Sequence, residues 1–354
     1  MTRNHLITEK LQIRYPIVQA PMLGVTTPEM VAAIANEGGL GSLPVGGLSP
    51  EKTTELIRKT KQLTSYPFAV NLFAHTIPDI TIAEAQQMQE YLSELGRKNG
   101  LEFPAQSIEK LVFYSYKSQI DILIAEQIPI VSFTFGIPDD ESLLKLKANG
   151  ILLIGTATCL EEALILDKKN IDIITAQGIE AGGHRGTFLD TIPLPQVSVM
   201  ALVPQIVGRI NKPVLASGAI NDGNTIRAAL AMGASGVQIG TAFIASSESM
   251  AIPTYKQAVL NAKDTDSTLT RTFSGRWARG LQNQFMSALD HSGLTPLPYP
   301  IQNSLTTPLR QVAQQHNNNN FTNMWSGQSA PKIQLPDCAA IFRELVRQTE
   351  IKNT

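Results

Sequence analysis

One stretch of the chain concentrates groups that could do chemistry. Gln177-Gly178-Ile179-Glu180-Ala181-Gly182-Gly183-His184-Arg185-Gly186 places four glycines and one imidazole within ten residues. Backbone without Cβ atoms can pass close to a flat ligand, and an imidazole can hold or take a proton near neutral pH. The bland alternative is a flexible connector carrying an exposed histidine. Gln177 could hydrogen-bond the heteroatoms of a ligand ring or simply cap the loop. Two further segments are rich in small residues: Ser217-Gly218-Ala219 followed by Asn221-Asp222-Gly223, and Gln238-Ile239-Gly240-Thr241. Small residues let backbone N–H groups close on phosphate oxygens at a helix N-terminus, though they also serve ordinary tight turns. Asn71 interrupts the apolar run FAVNLF, and a buried amide needs partners, supplied by a ligand or by the fold. His75 lies four residues on, facing the same region or solvent. Ala20-Pro21-Met22-Leu23-Gly24 is a turn in which Met22 offers a soft apolar wall for a ring, or plain packing.

What is missing narrows the chemistry. There is no G-x-x-x-x-G-K-[ST], no G-x-G-x-x-G after the first strand, no H-E-x-x-H helix, no Ser/His/Asp order and no spaced carboxylate pair. A site poor in reactive side chains and rich in backbone suited to a flat phosphorylated ligand points to an enzyme whose cofactor carries the chemistry. Asp139, Asp140 and Glu141 read as a helix N-terminus. Arg276 and Arg279 in TFSGRWARG read as structural, with contact to a substrate anion or a second subunit as the alternative.

The elements that must position these groups repeat one pattern: a short β-branched apolar run, a Gly or Pro turn, then an amphipathic helix. The runs begin at residues 16, 40, 68, 130, 151, 172, 213 and 236. They are continuous rather than alternating, as in parallel strands covered by helices on the outside. Eight such units predict a closed (β/α)8 TIM barrel over an open doubly wound sheet. In a barrel the C-terminal strand ends carry the active site, and the loops after the seventh and eighth strands commonly hold phosphate. The small-residue segments fall after those two strands. Residues 12–251 are expected to form the barrel, with a helical insertion at 74–126 after the third strand. Residues 252–354 are expected as a helical extension packing on it.

Composition agrees. The 354 residues are 43% hydrophobic and 17% charged, enough for a large core. Lys+Arg 29 against Asp+Glu 30 leaves a net charge of −1, which argues against a nucleic-acid-binding surface. Cys159 and Cys338 have neither disulfide-framework nor metal-ligand spacing, so no metal is expected. No run approaches a membrane span and the N-terminus lacks a signal-peptide core, so a soluble, cytoplasmic protein is expected; homo-oligomer formation is left open.

QAPMLGVTTPEMVAAIANEGGLGSL, FAVNLF, VSFTFG, AQGIEAGGHRG, PVLASGAINDGNTIRAALAMGASGVQIGTAF, FSGRWARG and MWSGQ, in this order over about residues 12–330, resemble the nitronate monooxygenase family, class I. The resemblance implies FMN across the barrel mouth. Pro21, Met22 and Leu23 would lie at the isoalloxazine ring, with Asn71 and Gln177 on the flavin or its ribityl chain. Gly182, Gly183, Gly218, Ala219, Gln238, Ile239, Gly240 and Thr241 would hold the rest, chiefly the phosphate end. His184 matches the family's active-site histidine, while Tyr299 and His75 are weaker substrate-side assignments. Where the family usually reads Ala-Ala-Gly-Gly, this chain has Ala216-Ser217-Gly218-Ala219, tolerable unless position 219 needs a positive φ. The implied reaction is oxidation of an alkyl nitronate, propionate 3-nitronate above all, by O2 to a carbonyl compound and nitrite without NAD(P)H, a detoxification. His184 would hold the nitronate oxygens and would act as base only toward a neutral nitroalkane.

The rival readings share the barrel: a flavin-dependent enoyl-acyl-carrier-protein reductase, an NAD(P)H:quinone reductase, and a non-catalytic flavin-binding protein. A guanine-nucleotide-type dehydrogenase would need a nucleophilic cysteine in a barrel loop, and Cys159 reads as a small packed residue.

Overall fold

A computed structural model describes residues 3–79, 81–189 and 193–349 of the chain. All eight expected apolar runs form strands: β1 (Ile17–Gln19), β2 (Ser42–Pro44), β3 (Ala69–Phe73), β4 (Ile130–Thr134), β5 (Leu152–Ala157), β6 (Ile173–Gln177), β8 (Val214–Ser217) and β9 (Gly236–Ile239). Each neighbouring pair is parallel, in the order β1-β9-β8-β6-β5-β4-β3-β2. The seam closes where Leu40, just before β2, bridges Val18: Gln19 N donates to Leu40 O at 2.8 Å and Leu40 N to Ile17 O at 3.0 Å. The result is a (β/α)8 barrel, as the unalternating apolar runs require.

The covering helices start where the sequence carries stop-and-start chemistry. Thr27 accepts from Met30 N at 3.1 Å and Ser49 from Lys52 N at 3.2 Å, each followed by proline at the first helical position. Asp139 accepts from Ser142 N at 2.9 Å, the helix-start role expected of it. At the N-terminal ends of the strands, Ile7 and Leu11 of helix Arg3–Leu11 meet Ala69, Ile130 and Ile173, closing the floor of the barrel.

Two features were not readable from local pattern. First, the chain's last helix, Cys338–Thr349, packs between helices Pro28–Asn36 and Gly223–Ala231. Its buried Ile341, Phe342 and Leu345 join the barrel core, so the helical ring is completed by residues almost a hundred positions after β9. Second, the insertion and the extension share one core. Ala85, Met88 and Leu92 of helix Ile82–Lys98 pack with Leu305, Leu309 and Ala313 of helix Ile301–Gln315 and with Phe273, Phe285 and Phe321. Helix Lys117–Ala125, at the end of the expected insertion, instead returns to the barrel core through Ile120 and Leu123.

A small antiparallel sheet, β10-β11-β7, completes the fold: β7 (Gly183–His184), β10 (Ser267–Thr270) and β11 (Ala278–Leu281). The glycine-rich segment after β6 is thus a paired element and not a free connector. Among the described residues no helix is long and apolar enough to cross a membrane.

Phe342 is fully buried against Tyr15, with ring centroids 6.1 Å apart. Phe342→Ala is expected to lower the unfolding free energy by about 3–5 kcal/mol, read from the denaturant midpoint.

Candidate active site

The C-terminal strand ends open into a cavity of about 780 Å³, within the range of small-molecule and cofactor sites. Pro21, Met22, Leu23, Asn71, Gln177, Gly182, Gly183, His184, Gly218, Ala219, Gln238, Gly240, Thr241 and Tyr299 all line it. Two expected residues do not. Ile239 faces the barrel core, 1% exposed, because side chains alternate along a strand and Gln238 takes the cavity side. His75 stands behind Tyr299, ring centroids 4.7 Å apart, with both ring nitrogens buried and without partners.

The loop after β6 is held rigidly. Arg185, 1% exposed, donates through Nη2 to Gln177 O at 3.1 Å and through Nη1 to Gly178 O at 2.5 Å. Arg279 Nε donates to Ile179 O at 2.9 Å. The Gln177 amide closes the turn, with Nε2 on His184 O at 3.0 Å and Oε1 accepting from Gly186 N at 2.8 Å, the loop-capping alternative for this residue. The main chain of His184 is then fixed by pairing with Ala278 of β11. Arg276 Nη2 donates to Thr187 O at 2.6 Å while its guanidinium lies 4.4 Å from the centroid of Phe135. Both arginines therefore serve the structure within this chain.

His184 Nε2 and Ser274 Oγ are 2.7 Å apart. A hydroxyl here can donate to or accept from the ring, so it supports either tautomer. Around the ring stand Trp325, Phe135 and Tyr299, with centroids at 5.2, 5.4 and 6.3 Å. Burial, with the Arg276 and Arg310 cations adding to it, pushes the imidazole down to about 3. His75 is pushed down to about 4 by desolvation and then by Arg276. Both are neutral near pH 7. Burial raises the Tyr299 phenol, which keeps its proton. Asn71 Nδ2 donates to Ser132 Oγ at 2.9 Å, so β4 satisfies at least half of this amide.

At the other end of the cavity the backbone is left without side chains. Gly218 has φ 133° and Ala219 φ 53°, and their N–H groups have no acceptor among the described residues. Ala219 thus occupies the left-handed region in which alanine is strained. The segment 326–328 crosses this end: Gly327 N donates to Thr241 Oγ1 at 3.1 Å, and Gln328 N to Glu180 O at 3.0 Å. A Cβ on Gly182 would lie 2.5 Å from Gly327 N, so only glycine fits beneath that crossing.

Sequence reasoning passed over four lining or adjoining groups. Phe135 adopts φ 72° just past β4 and turns its ring between His184 and Phe73; its signal was the glycine after it, whose Cβ would lie 1.8 Å from Ala74 O. Ser274 sat inside a segment noted for its arginines and its family likeness, and Trp325 inside one noted only for family likeness. Arg310 had no local signal. No group of three or more His, Cys, Asp or Glu among the described residues could hold a metal.

A closed (β/α)8 barrel whose mouth opens into a large cavity lined by one neutral imidazole and bare backbone has the architecture of a barrel enzyme. The chain belongs to the nitronate monooxygenase family: the family model described as nitronate monooxygenase matches residues 4–348. A protein of Staphylococcus haemolyticus named "Probable nitronate monooxygenase" is 43% identical over 99% of this chain and 98% of its own length. A protein of the same name from Staphylococcus aureus is 41% identical over 98% of each. Among solved structures, nitroalkane oxidase from Streptomyces ansochromogenes superposes with a TM-score of 0.88 at 32% identity, covering 97% of both chains. FabK from Thermotoga maritima follows at TM-score 0.76 and 26% identity, covering 98% of this chain and 96% of that one. The chain is accordingly an oxidoreductase of this family.

Two outcomes are expected. The buried histidines bind protons less readily folded than unfolded, so their contribution to stability is complete above about pH 6.5 and is lost as the pH falls toward 4 and 3. The urea midpoint should drop over that window, and His75→Phe should make the drop shallower. Ala219→Gly, which relieves the positive φ, should leave the fold unchanged or stabilise it by up to about 1 kcal/mol in the same assay.

Proposed function

We propose that the cavity binds FMN and that the protein oxidises alkyl nitronates with O2 to a carbonyl compound and nitrite, without NAD(P)H. The observation that carries the reading is His184, a neutral imidazole fixed against Ser274 at one end of a cavity whose other end is bare backbone. The residues present fit the cofactor. The open N–H groups of Gly218 and Ala219, with Gly240 and Thr241 beside them, offer a cradle for phosphate. Pro21, Met22 and Leu23 offer an apolar wall for the ring system. Bound FMN supplies electron transfer between nitronate and O2, chemistry that no side chain in the cavity provides.

The protein's own part is placement and electrostatics. A nitronate is already deprotonated at carbon, so His184 needs only to hold its oxygens. With the Ser274 hydroxyl donating to Nε2, the proton sits on Nδ1, which has no partner among the described residues and can donate into the cavity. With the other tautomer, Nε2–H donates to Ser274 and Nδ1 is free to accept the α-proton of a neutral nitroalkane. The pKa near 3 makes that acceptance costly until an anion enters beside the ring. Phe135, Trp325 and Tyr299 keep bulk water from the reacting atoms. Membership of the family and the likeness to nitroalkane oxidase support the reading, and a detoxifying role follows from the reaction.

Oxygen uptake by the FMN-loaded protein with propionate 3-nitronate should proceed without NADH and release nitrite. Uptake only when NADH is supplied with an enoyl thioester or a quinone would replace this reading with a reductase. His184→Asn should cut nitroalkane turnover at least 100-fold while leaving nitronate turnover within about tenfold; equal losses would remove the base role.

A further inference from the structure

The segment that crosses the bare-backbone end of the cavity is a wall one residue thick. It runs from Trp325, whose carbonyl accepts from Tyr255 Oη at 2.6 Å, to Ile333, which is buried in the barrel core. Residues 326–332 between these anchors form neither helix nor strand. Gly327 and Ser329 line the cavity, while Gln328 between them is exposed. This strap therefore faces the cavity on one side and solvent on the other.

Its ties fall into two sets. Three come from its own backbone: Ser326 N donates to Arg279 O at 3.3 Å, Gly327 N to Thr241 Oγ1 at 3.1 Å and Gln328 N to Glu180 O at 3.0 Å. The others come from two consecutive residues at the start of helix Gly223–Ala231. Asn221 Nδ2 donates to Ser329 Oγ at 2.9 Å, to Ser329 O at 3.3 Å and also to Ala330 O. Asp222 divides its carboxylate. Oδ1 caps the helix by accepting from Thr225 N at 2.8 Å, and Oδ2 pairs with Lys332 Nζ at 2.7 Å. Asp222 is buried and fixed by that cap, whereas Lys332 is exposed. A pair with one immobile partner and one flexible, solvated partner opens at modest cost, because the ammonium returns directly to water.

A phosphate lying on the bare backbone beneath the strap has two ways out. Travel along the cavity would draw a charged group past the apolar turn at Met22 and the rings of Phe135, Tyr299 and Trp325, a path that strips its water. Lifting the strap exposes it to solvent directly. That movement breaks the three backbone hydrogen bonds and the two side-chain ties and leaves the anchors at Trp325 and Ile333 in place.

We propose that residues 326–332 are a gate for the cofactor, latched by Lys332 on Asp222, and that its opening sets the rates at which FMN enters and leaves. This rests on the FMN reading above. A gate differs from a binding contact in its kinetics. A contact holds the bound state and slows release alone. A latch closes the passage in both directions, so weakening it speeds entry and release by the same factor and leaves the affinity unchanged.

The test compares wild type, Lys332→Met and Lys332→Arg by stopped-flow flavin fluorescence, with FMN mixed into protein freed of cofactor for entry and loaded protein diluted for release. Lys332→Met should speed both about fivefold, equivalent to about 1 kcal/mol, with Kd held within about twofold. Lys332→Arg should restore the wild-type rates. Added salt should bring wild type toward Lys332→Met and leave that variant unmoved. Hydrogen exchange, which needs no FMN, should be faster in peptides covering 326–332 of Lys332→Met than of wild type, with peptides of β6 and β8 unchanged. Faster release with unchanged entry makes the strap a contact and overturns the gate, as does exchange at 326–332 that is indifferent to Lys332. Wild type that takes up no FMN refutes the cofactor reading and the gate with it, whereas normal uptake at rates indifferent to Lys332 refutes the gate alone.

Discussion

The geometry of the mouth depends on one buried guanidinium. Arg185 lies under the loop after β6 and takes the carbonyl oxygens of Gln177 and Gly178, which would otherwise end the strand with unsatisfied acceptors away from water. A cation so placed needs several hydrogen bonds and nearby negative charge, and Glu162 and Glu180 supply the charge. These two carboxylates hold the flanking chain as well. Glu162 accepts from Thr187 Oγ1 and Phe188 N, both at 2.7 Å, and Glu180 from Val199 N at 3.0 Å. The glycines give the loop its close approach to the cavity, and the charged groups under it remove the freedom that glycines would otherwise leave.

With the loop pinned, the remaining parts fall into register. β7 pairs with β11, and β11 comes from the segment that also carries Ser274, Arg276 and Arg279. One excursion of the chain therefore supplies the histidine's hydrogen-bond partner, the cation over Phe135 and the second clamp on the loop. The same excursion builds the second core with the insertion after β3, and the far wall of the cavity is the polar face of a helix whose apolar face belongs to that core. Stability and site share the helix Ile301–Gln315, each using a different side of it.

The electrostatics follow from this enclosure. Aromatic rings on several sides bury His184, and this burial, with two guanidinium groups nearby, keeps it neutral.

Much of this was legible in the amino-acid order. Strands buried on both faces must be apolar throughout, so all eight barrel strands announced themselves, and the helix caps at Thr27, Ser49 and Asp139 were local chemistry written in adjacent residues. Because a barrel exposes its strand ends on one face, placing the strands also placed much of the cavity lining, including His184, Asn71, Gly218 and Thr241. Local order could not choose between the two roles of Gln177, since that depends on where His184 O and Gly186 N arrive in space. Nor could it show that Ile239 turns inward to the core, that His75 sits behind Tyr299, or that Ala219 is held at positive φ. Ser274, which meets the His184 ring, and Trp325 and Arg310, which line the cavity, come from positions 90 to 141 residues away from His184, brought by the antiparallel sheet and by the second core. The sequence alone determined the barrel, because backbone burial imposes its pattern on neighbouring residues. Only the tertiary structure decided which side chains complete the mouth, because contacts across long loops leave no periodic trace in the chain that makes them.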